Sequence, residues 1–128
     1  MKKRKRSLHI SLDLVRCRRT DRFVSKPTVI EEILKLVRES GCIIRKCDYE
    51  FYKNADGTLA GYEVHAILAE SHFWVSTWPE KGFANIDIFV CNFTKDNSPI
   101  ARSLAENIKK FFGAGKGSRR WDKWRGPE

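Results

Sequence analysis

The side chains best equipped for chemistry fall in one short stretch. Leu68-Ala69-Glu70-Ser71-His72-Phe73 places a carboxylate, a hydroxyl and an imidazole in succession. Ser76-Thr77-Trp78-Pro79-Glu80 adds an indole and a second carboxylate, and Gly82-Phe83-Ala84-Asn85-Ile86-Asp87-Ile88-Phe89-Val90-Cys91 closes on a thiol. Hydroxyls and thiols serve nucleophilic catalysis; imidazoles, carboxylates and thiols move protons. Taken singly, each residue also has an ordinary reading. Ser71 suits a turn, His72 a surface, Glu80 a solvated turn, and Trp78 and Phe51 a core.

Generic motifs do not account for this stretch. There is no G-x-G-x-x-G ahead of a helix, no P-loop, and no H-x-x-H or H-E-x-x-H. Gly113-Ala114-Gly115-Lys116-Gly117 follows a predicted helix instead of opening one, the reverse of a phosphate cradle. Cys17, Cys42, Cys47 and Cys91 include no C-x-x-C pair. Cys42 and Cys47, five apart on a predicted strand, face opposite ways and would not share a zinc ion, so no metal is expected. Each cysteine reads first as a small buried apolar residue.

The rest of the chain must position those residues. Its 128 residues make one domain, with 41% hydrophobic and 12% aromatic content. That supports a core and excludes a wholly disordered chain. No run of ~18 apolar residues occurs, so no membrane helix is expected. The basic start Met1-Lys2-Lys3-Arg4-Lys5-Arg6 lacks a following apolar stretch and does not read as a secretory signal. The expected location is cytoplasmic, with free thiols. The net charge of +9 raises the question of nucleic acid. Residues 2–6 carry five positive charges and no negative one, and residues 116–128 carry a net +3, which leaves +1 for residues 7–115. The excess therefore belongs to two ends, suited at most to weak polyanion contact, with Trp121 and Trp124 available for stacking.

Residues 9–14 alternate and predict a strand with Ile10, Leu12 and Leu14 inward. Residues 16–27 read as a loop. Thr28-Val29-Ile30-Glu31 has the form of a capping box, ahead of a helix over 29–39 that stops at Gly41. Strands are predicted over 42–53, 60–69, 73–78 and 85–91, with Ile86, Ile88 and Val90 on one face and Asp87, Phe89 and Cys91 on the other. Ser98 would cap a second helix with Pro99 at its first position. The order β-α-β-β-β-β-α predicts an α+β two-layer sandwich, an antiparallel sheet covered on one face by two helices. A basic tail over 1–6, a domain over 7–112 and a Gly-rich basic tail over 113–128 complete the expected organisation.

The three blocks Glu70-Ser71-His72, Thr77-Trp78-Pro79-Glu80 and Gly82 to Cys91, in this order and spacing, resemble the prokaryotic-type S-adenosylmethionine decarboxylase proenzyme family. Weaker resemblance extends over about residues 7–112. The resemblance implies a zymogen that cuts itself. Ser71 would attack the Glu70 carbonyl, β-elimination would release residues 1–70, and a pyruvoyl group would replace Ser71. That group would form a Schiff base with a substrate amine and act as the electron sink for loss of CO2. Cys91 matches the family's proton donor, Glu80 matches a glutamate that contacts ribose hydroxyls, and Trp78 and Phe51 would stack on adenine. The family's processing histidine, five residues after the serine, is replaced by Ser76, and its processing serine, eight residues before, by Glu63. His65 shares strand parity with Glu63. The implied activity is S-adenosylmethionine decarboxylation in spermidine synthesis by a homodimer or higher oligomer of cleaved chains. Three alternatives stand beside it: an arginine or ornithine decarboxylase of the same chemistry, a non-processing regulatory homologue, and a small basic polyanion-binding protein.

Overall fold

The computed structural model describes residues 6–126, so the basic start lies outside the described residues except for Arg6. Six strands and two helices follow in order: β1 (Ser7–Leu14), α1 (Pro27–Glu39), β2 (Ile44–Lys53), β3 (Leu59–Leu68), β4 (Ser71–Trp78), β5 (Phe83–Val90), α2 (Ser98–Phe112) and β6 (Arg119–Arg125). The strands form one antiparallel sheet in the order β2-β3-β4-β5-β1-β6. The expected α+β sandwich is therefore present, with one strand more than the sequence pattern predicts.

Strand alternation sets the two faces. On β1, Leu8, Ile10, Leu12 and Leu14 are buried, and on β5 Ala84, Ile86, Ile88 and Val90 are. With Tyr62, Val64, Ala66, Leu68, Phe73 and Val75 they join a core that includes the apolar sides of both helices. The opposite face carries His9, Ser11, Glu63, His65, His72, Trp74, Ser76, Asp87 and Phe89, none of them fully buried.

The helix starts differ by a residue or two from the expected ones. Helix α1 opens on Pro27 with Lys26 in an extended conformation before it, and no side chain caps it. Proline at the first helical position has its φ preset and no N–H to satisfy, so the helix begins ahead of Thr28 and the Thr28-Glu31 box is not used. Helix α2 starts at Ser98, with Asn97 at the flanking position.

The main correction concerns residues 113–128. Residues 119–125 form β6, which pairs with the outer edge of β1 from Ser7↔Arg125 to Asp13↔Arg119. Without it β1 would leave a row of backbone N–H and C=O groups unpaired beside the core. Trp124, opposite Leu8, packs against the core. Arg120, opposite Leu12, binds Asp122 at 2.8 Å and Glu106 of α2 at 3.1 Å, so part of the basic excess is held in ion pairs. The glycines before β6 make a close turn: Gly115 N donates to Val15 O at 2.8 Å, and a Cβ at Gly115 would lie 2.6 Å from the Arg16 carbonyl oxygen. No helix among the described residues is long and apolar enough to cross a membrane.

Replacing Trp124 with Ala removes the main apolar anchor of β6. Because Trp124 is only half-buried, the expected loss is about 1–3 kcal/mol, below the range for a fully buried Trp. Urea unfolding of the variant beside the unmodified chain measures it; an unchanged midpoint would show that β6 does not depend on this contact.

Candidate active site

The site begins at the turn between β3 and β4. The strands pair from Glu63↔Ser76 to Leu68↔Ser71, so only Ala69 and Glu70 remain to reverse the chain. So short a turn forces Glu70 to φ +61°. A residue with a Cβ adopts this left-handed conformation at a cost of about 1–2 kcal/mol. The cost falls on the residue that supplies the carbonyl of the Glu70-Ser71 peptide bond.

Three contacts hold Glu70 there. Its carbonyl oxygen accepts a hydrogen bond from the backbone N–H of Cys91 at 2.7 Å. Its carboxylate accepts from the Thr94 N–H at 3.0 Å and also from the Thr94 hydroxyl. These Thr94 bonds, the hydroxyl's first, hold the Glu70 carboxyl below its ordinary value of 4.5. The segment that supplies these donors is fixed in turn: Asn97 Nδ2 donates to Cys91 O at 2.8 Å, Asn97 N to Asn92 Oδ1 at 2.8 Å, and Asn92 Nδ2 to Ser98 Oγ at 3.2 Å. Asn92, Asn97 and Ser98 are buried. Thr94 and Asn97 were not singled out from the sequence, and bonds from isolated polar side chains to distant groups leave no spacing signal there.

Ser71 and Glu70 line a cavity of about 280 Å³ between the β3–β4 turn and the start of α2, with Cys42, Arg45, Lys95 and Asn97 also on its wall. Burial pushes the Cys42 thiol up to about 11. It therefore stays neutral at neutral pH. Cys91 lies half-buried at the end of β5, and the Ser7 hydroxyl is 3.7 Å from its sulfur. On the open face, His72 stacks on Phe89 with ring centroids 5.1 Å apart, and His9 Nε2 lies 2.9 Å from Asp87 Oδ1. Desolvation lowers the His72 imidazole; the nearby His9 adds to that, and Asp87 opposes it.

The remaining expected site residues stand elsewhere. Glu63 and Ser76 are cross-strand partners, and with Trp78, Glu80 and Tyr52 they line a second cavity of about 370 Å³. Trp78 is seven residues along β4 from Ser71, a separation of about 23 Å. Phe51, opposite Tyr62 on β2, packs partly against the core and shares a shallow depression with Glu63 and His65. One chain therefore gathers Glu70, Ser71 and Cys91 at one end of β4, and Glu63, Ser76, Trp78, Glu80 and Phe51 toward the other.

Comparison with known proteins resolves what this arrangement belongs to. A family profile described as S-adenosylmethionine decarboxylase matches residues 8–118. The chain belongs to the S-adenosylmethionine decarboxylase family. It is 32% identical over 101 residues to an S-adenosylmethionine decarboxylase proenzyme of Clostridium botulinum (strain Langeland / NCTC 10281 / Type F), covering 78% of this chain and 81% of that one. It is 31% identical over 91 residues to the proenzyme of Pyrobaculum islandicum, covering 67% of each. The crystal structure of the adenosylmethionine decarboxylase from Aquifex aeolicus VF5 superposes with a TM-score of 0.76 at 23% identity, covering 97% of this chain and 93% of that one, a likeness of fold. The match to the family reaches past α2 to residue 118, beyond the limit that the sequence blocks suggest.

The hold on Glu70 has a testable pH dependence. In chains carrying Ser71→Ala, Thr94→Val removes the hydroxyl donor, and the Glu70 titration followed by NMR is expected to rise toward 4.5. A carboxyl depressed in the folded state stabilises the fold above its unfolded value and loses that contribution as pH falls through the folded one. The stability difference between the two chains is therefore expected at neutral pH and should vanish in strong acid. A titration unmoved by Thr94→Val would show that this bond does not hold the carboxyl.

Proposed function

We propose that this family member cuts itself between Glu70 and Ser71 and then decarboxylates S-adenosylmethionine, the step that commits it to polyamine synthesis. As a member of its family the chain is a carboxy-lyase acting on a small molecule. The observation that carries self-cleavage is the 2.7 Å bond from the Cys91 N–H to the Glu70 carbonyl oxygen, on a residue at positive φ. Attack by Ser71 Oγ on that carbonyl closes a five-membered ring and turns the oxygen into an oxyanion. An N–H already aimed at it favours that charge, and leaving the left-handed conformation releases strain.

The chain's own residues suit the pyruvoyl group that would follow. Ser71 heads β4 beside a cavity, so the new terminus would remain on a fixed strand. Once formed, the pyruvoyl carbonyl supplies the electron sink that lets a carboxylate leave as CO2. Cys91 lies beside the Glu70 carbonyl through its own N–H and is the proton donor in this reading. Glu80 and Trp78, which share a cavity that Phe51 does not line, bind the ribose and the base in this reading.

The separation of about 23 Å between Ser71 and Trp78 exceeds what one small substrate spans. We infer that two chains pair with their open sheet faces together, so that the Glu63-to-Glu80 half of one meets the Ser71 end of its partner. Trp74 and Ile67 are exposed apolar residues on that face and would be covered. The chain reads as a homodimer, and its family resemblance supports the same reading.

Intact-mass measurement tests the first step: two fragments divided between residues 70 and 71 are expected, and only the full-length chain from Ser71→Ala. CO2 release should follow S-adenosylmethionine. Release from arginine or ornithine instead would move the reading to those substrates, and an uncut chain without activity would leave a regulatory homologue. Pairing is tested by complementation. Ser71→Ala and Trp78→Ala/Glu80→Ala chains, each inactive alone, should regain a fraction of activity when co-expressed; none regained, or a monomer by sedimentation, would overturn the shared site.

A further inference from the structure

Ser76 leaves a gap in the proposed reaction. Acyl transfer and elimination each need a group that takes up and returns a proton near neutral pH, and a serine hydroxyl does not do this unaided. The position directly across from Ser76 is Glu63. Glu63 Oε1 lies 2.8 Å from His65 Nε2, so the imidazole of His65 leans along β3 toward the Glu63-Ser76 pair. The other side of the ring is pinned by Trp74, with ring centroids 4.2 Å apart and 28° between planes. The pair is partly open, with the His65 side chain 40% and the Glu63 side chain 31% exposed.

We propose that His65, oriented by Glu63, is the proton-transfer residue for self-cleavage in place of an imidazole at position 76. The inference rests on the self-cleavage reading above and on the pairing of chains. His65 sits opposite Trp74, about 10 Å along the sheet from its own Ser71, and leans away from it. In the pairing proposed above it would serve the partner's Ser71. A carboxylate can only accept a hydrogen bond, so Nε2 carries the hydrogen and the lone pair is on Nδ1. Glu63 also stabilises the imidazolium once it forms, the role of a carboxylate behind a catalytic histidine.

The steps balance. The partner's Ser71 Oγ gives its proton to the imidazole and bonds to the Glu70 carbonyl carbon. The C–N bond breaks and the departing amine takes that proton, leaving an ester. The imidazole then removes the Cα proton of the same residue. The electron pair forms a Cα–Cβ double bond, the Cβ–Oγ bond breaks, and residues 1–70 leave with a carboxylate. Water converts the enamine to the ketone with loss of ammonia, which carries the proton away as ammonium. No oxidant or further reactant is needed.

The charged groups facing His65 are Glu63 on its own strand and, on β2, Asp48 opposite it, with Glu50 opposite Glu63 and Lys46 opposite Ile67.

The test compares cleavage rates by intact mass across pH for unmodified chain, His65→Gln, Glu63→Gln and His65→Gln/Ser76→His. The glutamine amide can still bind Glu63, so folding is preserved, and circular dichroism checks it. His65→Gln is expected to slow cleavage at least ~100-fold and to remove the rise in rate across the imidazole range. Glu63→Gln should slow it about tenfold, because the imidazole loses the carboxylate that orients it and the counter-charge to its imidazolium. Restoring an imidazole with Ser76→His in the His65→Gln chain should recover at least tenfold. A His65→Gln chain that cuts at the unmodified rate with the same pH profile overturns this inference and leaves self-cleavage standing. An unmodified chain that never cuts overturns both.

Discussion

The hydrogen bond from the Cys91 N–H to the Glu70 carbonyl ties together most of what surrounds it. It closes the sheet where β3, β4 and β5 end together, and it fixes the direction in which that carbonyl points. Its donor is held by the Asn92, Asn97 and Ser98 network, whose bonds satisfy buried polar groups at the entry to α2. A buried amide side chain without partners would cost about 1–3 kcal/mol, so the network keeps its geometry closely. The packing of α2 on β1 and β5 thus reaches the Glu70-Ser71 peptide through one short loop. Ground-state folding and the proposed chemistry use the same N–H, which explains why a strained residue persists at this turn.

A second constraint is the length of β4. Eight residues carry Ser71 at one end and Trp78 at the other, and an extended strand does not bend to bring its ends together. The open face between them holds an array of rings and charges: His72 on Phe89, His9 on Asp87, His65 on Glu63 and Trp74. Such a surface pairs polar groups locally while leaving broad aromatic planes uncovered. It fits contact with a surface of the same kind better than continued exposure to water.

Much of this was legible in the residues. Alternation in β1 and β5 marks their buried faces correctly, and the three blocks from Glu70 to Cys91 hold the Glu70-Ser71 peptide and the Cys91 N–H that meet in the fold. Gly41, at φ +106°, ends α1 where expected. The failure at β6 has a physical cause. Arg-Arg-Trp-Asp-Lys-Trp-Arg has little apolar content of its own, and its stability as a strand comes from the free edge of β1, more than a hundred residues earlier in the chain. Local propensity does not encode such a pairing. The hold on Glu70 is hidden for the same reason: Thr94 bonds its carboxylate across the turn, and Asn97 fixes the carbonyl of Cys91, whose N–H bonds the Glu70 carbonyl. The separation of Ser71 from Trp78, by contrast, follows from seven steps along a single strand.

The sheet order has a consequence for what a cut would produce. β1 belongs to the segment before Ser71, yet it lies between β5 and β6, which both come after it. β3 is likewise zipped to β4 across the break. Cleavage would therefore yield two interleaved polypeptides that share one core and cannot separate without dismantling the sheet. Before the cut, each subunit unfolds as one chain; afterwards its unfolding also separates two fragments, and the melting temperature gains a further dependence on protein concentration. Folding has to come first, and each cleaved molecule that melts must find a second fragment again before it can re-form.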